Sequence, residues 1–236
     1  MTPRLGIGEG YAFYQGPTRD SGVHRHAAFQ IAVAVDGEVS IVDAAGTEHR
    51  GAALAVAPMA PHRMLAAVHL RAFFVEPHCA FADRVRDHCA AGVVAVPQLR
   101  GISEDDVRHG GGRPSDTLDP RLMAAMRALM EDRPDPMPEI AARVGLSTQR
   151  LRALARAELG MPLQRWRIWH RLRRATEAVR EGRSLAEAAE AGGFADQAHF
   201  TRRLREMMGL TPAEVLPLLR RSGTAPGIDR DRAGDR

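Results

Sequence analysis

The chain changes its hydrophobic rhythm near the middle. From about Tyr11 to Glu76, apolar and polar residues alternate in short runs. In FQIAVAVDGEVSIVDAAG, Phe29, Ile31, Val33 and Val35 share one side, and Val39 and Ile41 resume the alternation beyond Asp36-Gly37. A period of two marks half-buried strands, and Asp-Gly between two such runs predicts a hairpin. A second turn is expected at Ala45-Gly46. GAALAVAP and HLRAFFVEP read as further strands, each stopped by a proline. Short antiparallel strands at this spacing predict a small barrel or sandwich. From Cys79 to Ala91 the spacing turns helical, with Phe81, Val85 and Cys89 on one face, and VVAVP reads as one more strand.

Beyond Asp119 the pattern is helical. Asp119-Pro120 is a helix start with an N-cap and a first-position proline, and Leu122, Met126, Leu129 and Met130 form its apolar face. One kind of unit then occurs twice: a short Ala-rich helix, a Gly turn and a polar, Arg-rich helix. The first copy, from Pro138, buries Ile140, Ala141 and Val144, turns at Gly145 and is capped by Ser147. Leu151, Leu154 and Ala155 point inward, which leaves Thr148, Gln149, Arg150, Arg152 and Arg156 outward. The second copy opens with a capping box, Ser184 with Glu187, and turns at Gly192-Gly193. Asp196 caps its polar helix, in which Phe200, Leu204 and Met207 or Met208 point inward. Gln197, Ala198, Thr201, Arg202 and Arg205 point outward, with His199 at the side. Between the copies, the stretch from Pro162 carries Leu163, Trp166, Trp169, Leu172, Thr176 and Val179 at steps of three or four. A helix of about 18 residues there would span about 27 Å.

These rhythms predict an α+β chain of two domains: a β-barrel domain over 1–100, a Gly-rich linker over 101–118 and an all-α domain over 119–221. The last holds two helix-turn-helix motifs joined by a linker helix. A short helix, EVLPLLR, is expected after Thr211-Pro212, and a disordered tail over 222–236.

Charge sharpens the division. Up to Leu118 there are 11 Arg against 13 Asp and Glu; beyond it, 22 against 16, and the chain has no Lys. The basic excess lies with the paired units, as contact with nucleic acid would require. No apolar run approaches the ~20 residues that span a bilayer, and MTPRLGIGEG lacks the apolar core of a secretory signal. With only Cys79 and Cys89, at no metal-type spacing, the chain reads as a cytoplasmic protein with reduced thiols.

The first domain holds a second candidate chemistry. His24-Arg25-His26 precedes a strand, Gln30 lies four residues on, and Pro58-Met-Ala-Pro precedes His62. Residues i and i+2 of an extended segment share a side, so these imidazoles could face one ion. The arrangement resembles the cupin pattern, whose His-x-His pair, Glu and later His hold a divalent metal. Gln30 stands here at the Glu position. A divalent metal on His24, His26 and His62, a metal-free ligand pocket that includes Gln30, and a plain structural role all remain open.

The stretch GGFADQAHFTRRLREMMGLTP, from Gly192, resembles the second-unit signature of the AraC/XylS family of bacterial transcription regulators. RLRRATEAV, from Arg171, resembles that family's linker helix. The first unit departs from the pattern, with Ala153 and Ala155 where Arg and Phe are usual. The resemblance implies a sequence-specific transcription regulator with a cupin-like sensor. It places Gln149, Arg152, Gln197, Thr201 and Arg202 at the family's base-contacting positions. Arg156, Arg173 and Arg205 are expected on phosphates, and Asp196, Ala198 and His199 beside them. The implied partners are promoter DNA, RNA polymerase, a small-molecule effector and a second copy of the chain. The competing reading is a metal-dependent cupin enzyme, a dioxygenase or isomerase, with appended helices.

Overall fold

In the computed structural model, residues 3–131, 134–208 and 217–218 are described. The short helix expected after Pro212 and the tail beyond 222 lie outside these residues, 217–218 excepted.

The first domain is built on two antiparallel sheets. The larger has six strands in the order β1 (Arg4–Gly8), β2 (Tyr11–Thr18), β8 (Ala67–Val75), β3 (Phe29–Ala34), β6 (Ala53–Val56) and β9 (Val93–Ala95). The smaller runs β5 (Glu48–Gly51), β4 (Val39–Asp43) and β7 (His62–Met64). Strand β3 is buried along its whole length because it is covered on both faces. Its odd positions, Phe29, Ile31 and Val33, pack with Phe81 and Val85 of α1 (Ala80–Arg86) and Val107 of α2 (Glu104–Gly111). Its even positions, Ala32 and Ala34, pack with Val39 and Ile41 of β4 and Met64 of β7. Residues of opposite parity thus build two separate cores, as the alternation of a strand requires.

Two expectations fail here. Asp36-Gly37 closes no hairpin: β3 pairs with β6 and β8, while β4 pairs with β5 and β7. The turn is a corner that carries the chain from one sheet to the other. Ala45-Gly46 does close a hairpin, between β4 and β5. The span 101–118 is no plain linker either. Its residues 104–111 form α2, capped by a reciprocal box between Ser103 and Asp106, and Val107 is sealed in the first-domain core.

The second part follows the sequence closely. Its helices are α3 (Pro120–Leu129), α4 (Met137–Arg143), α5 (Thr148–Leu159), α6 (Leu163–Arg180), α7 (Leu185–Ala191) and α8 (Gln197–Met208). Ser147 accepts from the Arg150 N–H, Ser184 and Glu187 form the expected capping box, and Asp196 accepts from the His199 N–H. One cluster joins Leu122, Ile140, Leu151, Trp166, Leu172, Phe200 and Leu204, so both helix pairs share a core built on α6. That core also takes in Ala27 and Ala28 and touches Phe74. The two parts are therefore continuous in packing.

Candidate nucleic-acid interface and effector sites

The outward faces of α5 and α8 are set by what their inward faces bury. Leu151, Ala155 and Leu159 anchor α5; Phe200, Leu204 and Met207 anchor α8. Gln149, Arg150, Arg152 and Arg156 are then exposed, as are Asp196, Gln197, Ala198, Arg202 and Arg205. Thr148, Thr201 and His199 sit half-buried at the edges, and the His199 ring packs edge-on against Phe194.

Charge pairing separates the two sides of these helices. Arg203 pairs with Glu206, and Arg165 of α6 meets the same carboxylate. Among the described residues, Arg150, Arg152, Arg156, Arg202 and Arg205 have no carboxylate partner. Five guanidinium groups thus face solvent on two helices with no internal neutralisation. Arg173 does not join them. It is turned inward, with Nη1 donating to Glu76 at 3.3 Å and Nε donating to Glu177 at 3.0 Å. The phosphate role expected for it is therefore corrected.

The turn before α8 is held against α6. A Cβ on Gly192 would stand 2.7 Å from the Arg171 carbonyl oxygen, and Gly193 has φ +71°. The Arg171 Nε donates to the Gly192 carbonyl at 3.0 Å, and its guanidinium lies 4.6 Å from the Phe194 ring centre. Close approach and left-handed backbone both require glycine here.

In the first domain, His24, His26 and His62 come together, each offering a ring nitrogen within 4.8 Å of the others. The backbones of His24 and His62 bridge each other, with N–H to O distances of 3.0 Å in both directions. Each Nδ1 lies 2.9 Å from a backbone carbonyl: Gly22 for His24, Ala28 for His26 and Ala60 for His62. A carbonyl only accepts, so Nδ1 carries the proton and Nε2 holds a lone pair. Burial keeps the rings neutral. It pulls His26 down to about 4, with help from His24, and His62 down to about 2, and it lowers His24 too.

The Gln30 amide bridges His26 Nε2 and His62 Nε2 at 2.9 Å each. Two bare lone pairs need donors, so the amide must turn its NH2 toward both rings. Gln30 shares the parity of Ala32 and Ala34, which aims it between the sheets. The donor set fits a divalent cation: three neutral imidazoles with their tautomers set by backbone carbonyls, and an amide that can present its oxygen instead.

Two features escaped the sequence reading. Glu76, which follows β8, is 2% exposed and accepts from the Trp169 indole N–H at 3.0 Å, besides its contact with Arg173. His78 lies 3.7 Å from the same carboxylate and packs edge-on against Trp166. The Trp169 ring also stands 6.2 Å from His26. Helix α6 therefore touches the histidine cluster and the end of β8 as well as both helix pairs. Its buried residues include Ile168, Ala175 and Ala178, beyond the single stripe expected, because it is covered from two directions.

Residues 140–217 match the helix-turn-helix domain family. No curated protein sequence matches the chain significantly. Among solved structures, ToxT from Vibrio cholerae superposes with a TM-score of 0.60 over 89% of this chain and 98% of its own, at 10% identity. A form of ToxT bound to an unsaturated fatty acid gives 0.59 over 89% and 96%, also at 10% identity. A regulator from Chromobacterium violaceum with an AraC-type DNA-binding domain is 27% identical over 46% of this chain and 96% of its own, with a TM-score of 0.40. The likeness to ToxT shows a shared two-domain α+β fold, and the C-terminal part contains a helix-turn-helix domain over residues 140–217. Among the described residues, no helix is long and apolar enough to cross a membrane.

Proposed function

We propose that the chain is a sequence-specific DNA-binding transcription regulator whose first domain senses an effector. One observation carries this reading: the unneutralised arginines of α5 and α8 gather on the outward faces of two helices held by one rod. In this reading Thr148, Gln149, Arg150 and Arg152 enter one major groove, and Gln197, Ala198, Thr201 and Arg202 enter the next. Arg152 and Arg202 read guanine through O6 and N7, and Gln149 and Gln197 pair with adenine. Arg156 and Arg205 hold phosphates, which set register without reading sequence. Asp196 stays a cap, and His199 braces the helix start against Phe194.

The effector site supported best in the first domain is the three-histidine cluster, with a divalent cation held by the Nε2 atoms of His24, His26 and His62. The cation supplies positive charge at a buried site of neutral rings; the chain supplies the fixed tautomers and the adjustable Gln30 amide. A neutral amide facing these rings favours binding over the cupin-enzyme reading. That ToxT is seen with a fatty acid supports small-molecule sensing in this fold.

The test is DNA selected by the full chain from a random-sequence library. Arg202→Ala should lose about 1–3 kcal/mol at one base position and relax the preference there. Unchanged affinity and preference would contradict the assignment. Zinc or nickel titration, read as bound metal per chain, should give one ion in the parent and none in His26→Gln.

A further inference from the structure

We infer a second binding site, at the seam between the two parts, for a small uncharged apolar molecule. A cavity of about 90 Å³ lies there, walled by Leu5 and Ile7 of β1, Ala12 of β2, Leu172 of α6, and Leu204 and Met208 of α8. Tyr11, Trp169, Arg173, Glu76 and Thr176 complete the lining, and the Thr176 hydroxyl is spent on the Leu172 carbonyl at 2.8 Å. It is separate from the histidine cluster, none of whose residues lines it.

The charge of the ligand follows from the pairing in the wall. Arg173, which supplies the lining's positive charge, is already shared between Glu76 and Glu177. The two oxygens of Glu76 are taken by the Trp169 N–H and the Arg173 Nη1. Among the described residues, an anion entering the seam would meet the Glu76 carboxylate and no spare cation. An ammonium would have to compete with Arg173 for a buried carboxylate. A neutral apolar ligand faces neither cost, because burying an unpaired charge is what such a wall penalises.

Size follows from the volume. An apolar cavity of ~150 Å³ accepts benzene, so 90 Å³ accepts a smaller group without rearrangement. A longer chain must part β1 and β2 from α6 and α8. Since α6 carries both helix pairs, that movement would alter how α5 and α8 are presented. Calling the ligand an effector rests on the regulator reading; its binding does not.

The probes are 1-hexanol, hexanoate and hexylamine, added to the full chain labelled with ¹⁵N-tryptophan. Trp166 and Trp169 give two indole N–H signals, and Trp169→Phe assigns them. Hexanol should shift the Trp169 signal at concentrations at least about tenfold below either ion, a difference of about 1.4 kcal/mol. Ala12→Phe should abolish the shift by filling the cavity, and Leu5→Trp fills it from β1 if Ala12→Phe does not fold. Glu76→Gln should remove the lining's carboxylate and release the Arg173 Nη1, with Nε still held by Glu177, and so move the preference toward hexanoate. No shift with hexanol, an undiminished shift in the filled variants, or tighter binding of either ion overturns the site. Hexanol should also change affinity for the selected DNA at least about threefold. Binding without that change overturns the effector role. A shift in a chain that selects no DNA refutes the regulator reading and leaves the site standing.

Discussion

At the scale of single residues, the histidine cluster has a definite acid response. His26 and His62 ionise well below the ordinary value of 6.5 because burial disfavours the imidazolium. The unfolded chain therefore takes up protons below pH 6.5 that the folded chain refuses. Stability is fully present above 6.5 and is lost as pH falls, toward 4 for His26 and toward 2 for His62. For His26 alone, the loss by pH 4 is on the order of 3 kcal/mol. Urea midpoints at pH 7, 5.5 and 4.5 should fall progressively, and His26→Gln should flatten that slope; a parallel fall in parent and variant would disprove the assignment. Removing the donor between the rings should cost stability at neutral pH as well. Gln30→Leu leaves two buried acceptors without partners, which predicts a loss of about 1–3 kcal/mol for each in urea unfolding. The convergence of these histidines was legible in the sequence because His-x-His and the later His62 sit beside strands. The bond from Trp169 to Glu76 was not, since its partners lie 93 residues apart and nothing beside Glu76 marks that carboxylate as buried.

At the scale of elements, caps were legible, while sheet pairing was legible at the β4–β5 hairpin and not between the sheets. Ser147, Ser184 and Asp196 each act on a donor three residues away, so local order suffices to find them. Ser103 with Asp106 is the same signature. It was obscured by the glycines that follow, though Gly110 and Gly111 lie inside α2, where Gly110 abuts Phe81 and Gly111 the Glu9 carbonyl. Asp36-Gly37 shows the opposite failure. Its turn chemistry is right, but which strand accepts the next ladder is decided by distant β6 and β8. Two substitutions test the second helix pair. Ser184→Ala should cost about 1 kcal/mol in thermal unfolding through loss of the capping box. Gly192→Ala should do more than a propensity change, because its Cβ meets the backbone of α6 at 2.7 Å. The α7–α8 turn must then move away from α6, so affinity for DNA should fall more than stability predicts; an Ala variant with full affinity would show that the contact does not position α8.

At the scale of the whole molecule, α6 links every functional part. Its 18 residues give a rod of about 27 Å, shorter than the roughly 34 Å between successive major grooves on one face of DNA. The offsets of α5 and α8 from its ends must make up the difference. If they do, the two helices read the same duplex one turn apart, and their errors are separable. Arg152→Ala and Arg202→Ala alter exposed side chains, so both variants should fold as the parent does. Each should relax the selected sequence at a different position, with the two positions about 10 base pairs apart and the other half of the preference kept. Sequence selection with each variant at matched salt measures this directly, since phosphate contacts change affinity uniformly while base contacts change it by position. Relaxed positions that coincide, or that fall half a turn out of phase, would mean that α6 does not set both helices into neighbouring grooves. The barrel-side contacts of Trp169 and Arg173 would then serve stability alone, because a rod that does not fix the spacing of two readers has nothing to transmit to them.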